Sequence, residues 1–455
     1  MIGIIMFFAA LIMLLVGFPV AFTFGAIAVI FGFAYGLSES FDAQKSITEI
    51  ITGGFANTAD LFAFMPYRIF AIMENKILIA VPLFVLMGMI LQKTKLAERL
   101  LESMAFLFGG VRGGVAVSTV LVGALLAATT GIVGASVIAM GVISLPVMLK
   151  YKYNKGLACG TIAASGTLGQ IIPPSIVLIV LGDVFGVSVG DLFKAAMAPG
   201  IALVIAYIIY ILIISYMKKD VASAVILDDE KSKITQIIKA LKEIVPVLTL
   251  ILLVLGSIFA GIATPTESSS VGVIGALILS FLYRTFSFKM LADSLKDTIK
   301  ISSMVFTILI GATAFSMVFS YTGGDSLIEE FMMNLPGQKW GFIILTMIII
   351  LILGFFLDFV EIAYIVLPIL LPIVTNLEIN PVWFAILIAV NLQTSFMTPP
   401  FGFSLFFLKG VTPNNVKTTD IYKGVIPFIL LQILVLFLLA VFPEIFGLNS
   451  FLSQK

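Results

Sequence analysis

A run of small and polar residues lies in the middle of a long apolar stretch and offers oxygen atoms that could bind a cation. The stretch is 114–149, and the run is Thr130-Gly131-Ile132-Val133-Gly134-Ala135-Ser136. As one helix, 114–149 would be about 50 Å long, whereas the hydrocarbon of a bilayer is about 30 Å thick. A re-entrant helical hairpin with its turn at this run is therefore expected. Because hydroxyl and carbonyl oxygens suit hard cations, Gly131, Gly134 and Ser136 are candidate sodium ligands.

A second polar run, Ser165-Gly166-Thr167, precedes Pro173-Pro174. Prolines break helices, so we expect the run to be unwound and to face the first hairpin turn. Ser165 and Thr167 are then further sodium candidates. The alternative is that the small residues in both runs only allow helices to pack closely.

The apolar stretch 342–375 resembles 114–149 and carries Gly354, Asp358 and Glu361 at its expected turn. A carboxylate at the centre of a membrane costs at least about 2.5–3.5 kcal/mol, so it must meet a cation, a proton or a basic side chain. No Lys or Arg stands in the neighbouring apolar segments. We expect Asp358 to bind sodium, unless the turn reaches water and Asp358 is merely solvated. Candidate partners in a later polar run are Asn391, Thr394 and Thr398.

Composition places the chain in a membrane. Of its 455 residues, 60% are hydrophobic and 11% are charged, whereas a soluble domain is about 45–50% apolar and about 25% charged. The chain has no histidine, which excludes His-based catalysis and proton relays, and one cysteine, Cys159, which excludes an intrachain disulfide. A net charge of +1 gives no reason to expect a nucleic-acid partner.

The apolar runs lack the alternation of a membrane β-barrel, which predicts an all-α polytopic membrane protein. Expected continuous spans are 1–16, 18–36, 77–92, 197–217, 244–262, 271–284, 301–320 and 424–442. Residues 37–76 mix charges with Phe and Ile, as an interfacial arm would. The lysine-rich loop 218–243 is expected on the cytoplasmic side.

An internal repeat divides the chain. Pro146 and Pro372 are 226 residues apart, and so are Pro173-Pro174 and Pro399-Pro400. The first hairpin has mainly basic flanks and the second has acidic flanks, which predicts halves of inverted topology. Inverted repeats with broken helices are typical of secondary transporters. A substrate cavity between the two sodium sites would be lined by Ser136, Thr167 and Gln393, unless these side chains only cap the broken helices.

The repeat predicts two halves on either side of the loop. The first half, 1–217, would hold scaffold helices in 1–92 and a transport part at about 114–188. The second half, 244–455, would hold scaffold helices at about 244–320 and a transport part at about 342–410.

With these motifs the chain resembles the large membrane subunit of tripartite ATP-independent periplasmic (TRAP) transporters. The resemblance covers essentially the whole chain and is most specific in Ser165–Ser175. The matching stretches are Gly131–Ser136, Leu145-Pro146, Ala163–Ser175, Val81–Gly88 and Thr398–Gly402.

The resemblance implies sodium-coupled import of an organic acid, such as a dicarboxylate or a sialic acid, across the bacterial inner membrane by an elevator mechanism. It implies no enzymatic activity and no cofactor besides sodium as the coupling ion. The partners would be a small membrane subunit of about four helices and a periplasmic substrate-binding protein. It also implies that sodium binds at both hairpin turns, near Ser136, Ser165 and Asp358.

Three alternative functions also agree with the sequence. The chain could be a sodium–dicarboxylate symporter that needs no binding protein, or an anion-conducting pore. It could also be an intramembrane enzyme that uses the carboxylates of Asp358 and Glu361.

Overall fold

The computed structural model describes residues 2–42, 46–94, 96–130, 133–218, 220–224 and 233–452, and these contain helices and no strands. The helices before the lysine-rich loop are α1 (Ile2–Val16), α2 (Val20–Ser40), α3 (Ile47–Phe62), α4 (Met65–Glu74), α5 (Lys76–Lys93), α6 (Leu96–Phe108), α7 (Gly114–Thr130), α8 (Val133–Lys150), α9 (Lys155–Thr167), α10 (Ile176–Phe185) and α11 (Val189–Met217).

The helices after this loop form a similar series. They are α12 (Lys233–Phe259), α13 (Pro265–Leu282), α14 (Phe288–Tyr321), α15 (Gly324–Met333), α16 (Lys339–Leu353), α17 (Phe359–Glu361), α18 (Leu367–Asn376), α19 (Pro381–Ser395), α20 (Phe403–Val411), α21 (Thr418–Val441) and α22 (Asn449–Leu452). A π-helical turn, Ile362–Val366, joins α17 to α18.

Nine helices within the described residues are long and apolar enough to cross a membrane. They are Val20–Ser40, Lys76–Lys93, Val133–Lys150, Val189–Met217, Ala240–Phe259, Pro265–Leu282, Phe288–Tyr321, Phe359–Asn376 and Thr418–Val441. The predicted class, a helical multi-pass membrane protein, is confirmed. Shorter apolar helices, among them α1, α7, α16 and α19, lie between these spans.

Contacts divide the chain into two compact units. Unit 1 comprises Met1–Leu78, Lys300–Ile349 and Phe356–Ile379. Unit 2 comprises Ile79–Ile299, Ile350–Phe355 and Asn380–Lys455. Both units draw segments from both sides of the lysine-rich loop, and the two sequence halves with their inverted topology stay a prediction.

Unit 1 contains a tight antiparallel pair formed by α2 and α3. A Cβ added to Gly36 would come within 2.7 Å of the carbonyl oxygen of Gly54. The side-chain amide of Asn57 donates to Ser40 Oγ at 3.0 Å and to the carbonyl of Gly36 at 3.2 Å. The predicted arm 37–76 is therefore partly a packed helix, because α2 extends to Ser40 and its small residues admit α3. In α4, by contrast, no residue is buried.

Unit 2 is built around α9, whose residues from Leu157 to Thr167 are all buried. Glycine contacts hold α21 against it, since a Cβ on Gly160 would collide with the carbonyl of Gly424. Such small-residue crossings let membrane helices approach closely enough for their backbones to pack. At one end of the unit, Lys93 and Asp297 form an ion pair of 2.7 Å.

The offset of 226 residues that relates the prolines also relates the bounds of several helices. Val133–Lys150 and Phe359–Asn376 begin and end at equivalent positions, and both α9 and α19 begin directly after an asparagine N-cap. The side-chain oxygens of Asn154 and Asn380 each accept a hydrogen bond from the backbone N–H three residues on. Both Pro-Pro peptide bonds are cis. The same local sequence signals thus produce the same helix starts in both series.

Candidate functional site

The first helix pair, α7 and α8, packs against the end of α9 that carries the second polar run. A Cβ on Gly123 of α7 would collide with Ser165, and one on Gly166 would collide with Val137 of α8. Helix α7 ends at Thr130 and α8 begins at Val133, and the candidate Gly131 lies outside the described residues. Ser136 is buried on α8, next to Val137. Gly134 lies against the ring of Phe407.

The second polar run differs from its prediction. Ser165, Gly166 and Thr167 are helical and complete α9, and the chain leaves the α-helix only at the 3₁₀ turn Leu168–Gln170. The expectation that this run is unwound was wrong. Its small residues admit α7 and α8 at close range, as the packing alternative required, and that contact stabilises the helix to its last turn.

The two hydroxyls of this run are arranged as acceptors. Ser165 Oγ donates to the carbonyl of Ile162 at 3.0 Å, and Thr167 Oγ1 donates to the carbonyl of Ala164 at 2.9 Å. Thr167 Oγ1 also lies 3.3 Å from Met397 Sδ, a second acceptor for its proton. Since a neighbouring acceptor takes each proton, each oxygen presents lone pairs to other groups. Both residues are fully buried at the carboxyl end of α9, where the helix dipole is negative. This arrangement suits a cation and disfavours an anion.

At the end of α19 and directly after it, two hydroxyls also donate to backbone carbonyls. Thr394 Oγ1 donates to the carbonyl of Val390 at 2.9 Å, and Thr398 Oγ1 donates to that of Thr394 at 2.8 Å. Asn391 is 2% exposed. Residues 391–395 are helical too, and the break follows them, between Phe396 and Gly402. Gly354 lies against the hydroxyl of Ser395.

Asp358 lies in unit 1, whereas Asn391, Thr394 and Thr398 lie in unit 2. Asp358 is the N-cap residue of α17, and its Oδ1 accepts from the backbone N–H of Phe359 at 2.7 Å. Glu361 Oε2 in turn accepts from the backbone N–H of Asp358 at 3.0 Å. Glu361 is 6% exposed. Throughout the described part of the chain, neither carboxylate lies within ion-pair distance of a Lys or Arg.

A buried polar cluster in unit 2, which we call the Tyr207 cluster, comprises Thr167, Tyr207, Gln393 and Gln432. The amide of Gln432 donates to Tyr207 Oη at 2.8 Å, and that of Gln393 donates to the same oxygen at 3.4 Å. Gln393 Nε2 also lies 3.4 Å from Thr167 Oγ1. The structure thus joins the substrate candidates Thr167 and Gln393 directly. Ser136 lies on α8, the helix packed against α9.

Tyr207 and Gln432 were not among the site residues predicted from the sequence. Gln432 is the single polar residue of α21 after Lys423, and this isolation was the signal that could have identified it. Tyr207 shares the apolar middle of α11 with Tyr210 and had no such signal. Gln170 is a further buried polar residue, since it is fully buried at the helix break and its side chain has no hydrogen-bond partner among the described residues.

Comparison with known proteins identifies the family. The family model of the tripartite ATP-independent periplasmic transporter, DctM component, matches residues 5–445. The chain belongs to this family of TRAP transporter large membrane subunits. It is 30% identical to the C4-dicarboxylate TRAP transporter large permease protein DctM of Rhodobacter capsulatus, over 83% of this chain and 88% of that protein.

The name of a second TRAP relative mentions a different substrate. The chain is 27% identical to the sialic acid TRAP transporter large permease protein SiaM of Vibrio cholerae, over 82% of this chain and 85% of that protein. These relatives are transporter permease subunits, which confirms that the chain belongs to transporters and not to enzymes. TRAP large subunits work with a small membrane subunit and a periplasmic binding protein, so both kinds of predicted partner belong to the family.

The fold is shared with a solved transporter structure. The YdaH transporter of Alcanivorax borkumensis superposes with a TM-score of 0.60 at 13% identity, over 93% of this chain and 98% of that one. At this identity the likeness concerns the helical fold alone.

Proposed function

We propose that this TRAP subunit imports an organic acid across the bacterial inner membrane, driven by a sodium gradient. The observation that carries the proposal is the pair of buried hydroxyls at the end of α9. Ser165 and Thr167 both give their protons to neighbouring acceptors, in each case a carbonyl of their own helix, and present oxygen lone pairs at a negative helix end. Half-helix ends and exposed backbone carbonyls at membrane depth are where transporters bind sodium.

The first sodium site would be formed by Ser165 and Thr167 together with Gly134 and Ser136, and Gly131 stays a candidate from the sequence. A second sodium ion would bind the carboxylate of Asp358, and Asn391, Thr394 and Thr398 stay candidate ligands in unit 2. No Lys or Arg side chain is required at Asp358, because a sodium ion itself would balance the charge of the carboxylate. The absence of histidine from the chain agrees with sodium rather than with a His-based proton relay.

The substrate would bind next to the first of these sites, with Ser136 among the residues that line its cavity and Thr167 turned to the cation. Names of the relatives indicate acids as different as C4-dicarboxylates and sialic acid. A cavity that offers hydroxyls and backbone groups can accept various carboxylates. Selection among them would then depend on the binding protein that delivers the substrate.

The transport step would be an elevator movement. Two helix pairs, α7 with α8 and α16 with α17–α18, which we propose to be re-entrant, and the broken helices α9–α10 and α19–α20 would carry substrate and sodium together past the other helices. Alternating access in transporters built from inverted repeats is largely such rigid-body movement around a fixed site. Charge neutralisation of Asp358 by sodium would lower the cost of moving the loaded site through hydrocarbon.

A TRAP importer needs a binding protein, whereas a self-sufficient symporter does not. We expect proteoliposomes that contain this chain and its small membrane subunit to take up substrate only when the cognate binding protein is present outside. The measurement is the initial rate of uptake with and without that protein, at a fixed inward sodium gradient. As a control, a non-cognate TRAP binding protein loaded with its own ligand should not restore uptake. Equal rates without any binding protein would favour the self-sufficient symporter.

A further inference from the structure

The Tyr207 cluster lies at membrane depth and is completely enclosed. Tyr207 is near the middle of the long helix α11 and Gln432 near the middle of α21, while Thr167 and Gln393 stand at the carboxyl ends of α9 and α19. All four side chains are 0% exposed. Buried polar groups in a membrane protein are costly unless they are paired, and they mark functional positions.

The NH₂ end of the Gln393 amide faces Thr167 and Tyr207. Thr167 Oγ1 donates to the carbonyl of Ala164, lies 3.3 Å from Met397 Sδ, and accepts from Gln393 Nε2 at 3.4 Å. The same NH₂ group reaches Tyr207 Oη at 3.4 Å.

Tyr207 is itself held in place. Its hydroxyl accepts the short hydrogen bond from Gln432, and its ring packs edge-on against Phe428 with the centroids 5.3 Å apart. The consequence is that the carbonyl oxygen of Gln393, Oε1, is the free end of that amide. It is buried and has no hydrogen-bond partner among the described residues.

The surrounding electrostatics favour a cation at this oxygen. Both α9 and α19 end at the cluster, and the carboxyl end of a helix carries a partial negative charge. Thr167 adds a hydroxyl oxygen with free lone pairs. A substrate carboxylate would need the NH₂ group of Gln393, which is already occupied by Thr167 and Tyr207.

We propose that Tyr207 and Gln432 are positioning residues that hold Gln393 with its carbonyl oxygen free, and that Gln393 therefore binds a monovalent cation and not the substrate carboxylate. This inference rests on the sodium coupling proposed above and deepens it. It replaces the expectation, made from the sequence, that Gln393 contacts substrate. In this proposal Tyr207 and Gln432 act through Gln393, although Gln432 Oε1 is also buried without a hydrogen-bond partner among the described residues.

The test is sodium dependence in Tyr207→Phe, which removes only the hydroxyl. We expect the sodium concentration for half-maximal uptake to rise by about threefold to tenfold, the effect of one lost hydrogen bond. The substrate KM, measured at saturating sodium, should stay within about twofold of wild type, because no substrate contact changes. Gln432→Met, similar in volume but without the amide, should show the same pattern.

Tyr210→Phe is the matched control. Tyr210 lies on the same helix and packs against the same Phe428 ring, with centroids 5.2 Å apart. It lies outside the Tyr207 cluster, so its removal should leave both constants unchanged. Melting temperatures of all variants in detergent would show that they fold.

The possible outcomes distinguish the two proposals. A raised KM with unchanged sodium dependence would assign Gln393 to the substrate and overturn the inference. Unchanged constants in both Tyr207→Phe and Gln432→Met would also overturn it, while sodium coupling would stand. If wild-type uptake responded to neither sodium nor lithium, sodium coupling would fail, and the ligand role of Gln393 would fail with it.

Discussion

Asp358→Asn is expected to stop sodium-driven uptake and to leave the fold intact. Asparagine keeps the volume of aspartate and is an equally good helix N-cap, so the hydrogen bond to the N–H of Phe359 can persist. Only the charge is lost. A charge-assisted contact is worth about 1.5–3 kcal/mol, which corresponds to a loss of sodium affinity of about tenfold to a hundredfold.

The measurement is the initial uptake rate as a function of sodium, for wild type, Asp358→Asn and Asp358→Ala. Glu330→Gln, an equal change of charge at an exposed position outside the site, should transport normally. The alternative hypothesis is that Asp358 only caps the N-terminus of α17 and binds no ion. In that case Asp358→Asn would transport like wild type, and Asp358→Ala would merely lose about 1 kcal/mol of stability.

Gly424→Val is expected to prevent the accumulation of folded protein. Glycines at the crossing of α9 and α21 bring the two backbones together, and a Cβ on Gly424 would collide with the carbonyl of Gly156. Backbone atoms cannot rotate away as a side chain can, so the helices must separate. We expect a cost of about 3 kcal/mol or more, the upper end of what overpacking costs in a well-packed core. The yield of monodisperse protein in detergent and its melting temperature measure this effect.

Gly256→Ala is the control for that prediction. Gly256 lies within α12, and no atom outside its own helix stands within 4 Å of the position that a Cβ would take. Because alanine favours a helix over glycine by up to about 1 kcal/mol, this variant should be at least as stable as wild type. A folded Gly424→Val protein with wild-type stability would show that the crossing of α9 and α21 does not depend on close contact.

Strong local signals made much of the fold predictable. The length of 114–149 required a turn, and the structure ends α7 at Thr130 and begins α8 at Val133. Gly17 adopts a left-handed conformation between α1 and α2, where the sequence Gly-Phe-Pro predicted an interruption. Matching prolines predicted a repeat of helices, and the bounds of Val133–Lys150 and Phe359–Asn376 agree with it. These features depend on the length of apolar segments and on glycine and proline positions, which can be read directly from the sequence.

Features that depend on packing were harder to predict. Ser165, Gly166 and Thr167 have weak helix propensity, and only their contact with α7 and α8 explains why they stay helical. Hydrogen bonds of the Tyr207 cluster join residues more than 180 positions apart, and no local sequence pattern predicts these contacts. Candidate sodium ligands could be chosen by residue type, but which atom of Gln393 is free follows only from the hydrogen bonds of its neighbours.

Uptake into proteoliposomes under separately imposed gradients tests the central claim most directly. The vesicles would contain this chain with its small membrane subunit, the cognate binding protein would be added outside, and sodium and pH gradients would be applied one at a time. Sodium coupling predicts accumulation of substrate with an inward sodium gradient at equal pH, and none with a proton gradient in sodium-free buffer. Accumulation driven by the proton gradient alone, without sodium, would contradict it and would make Asp358 a proton carrier.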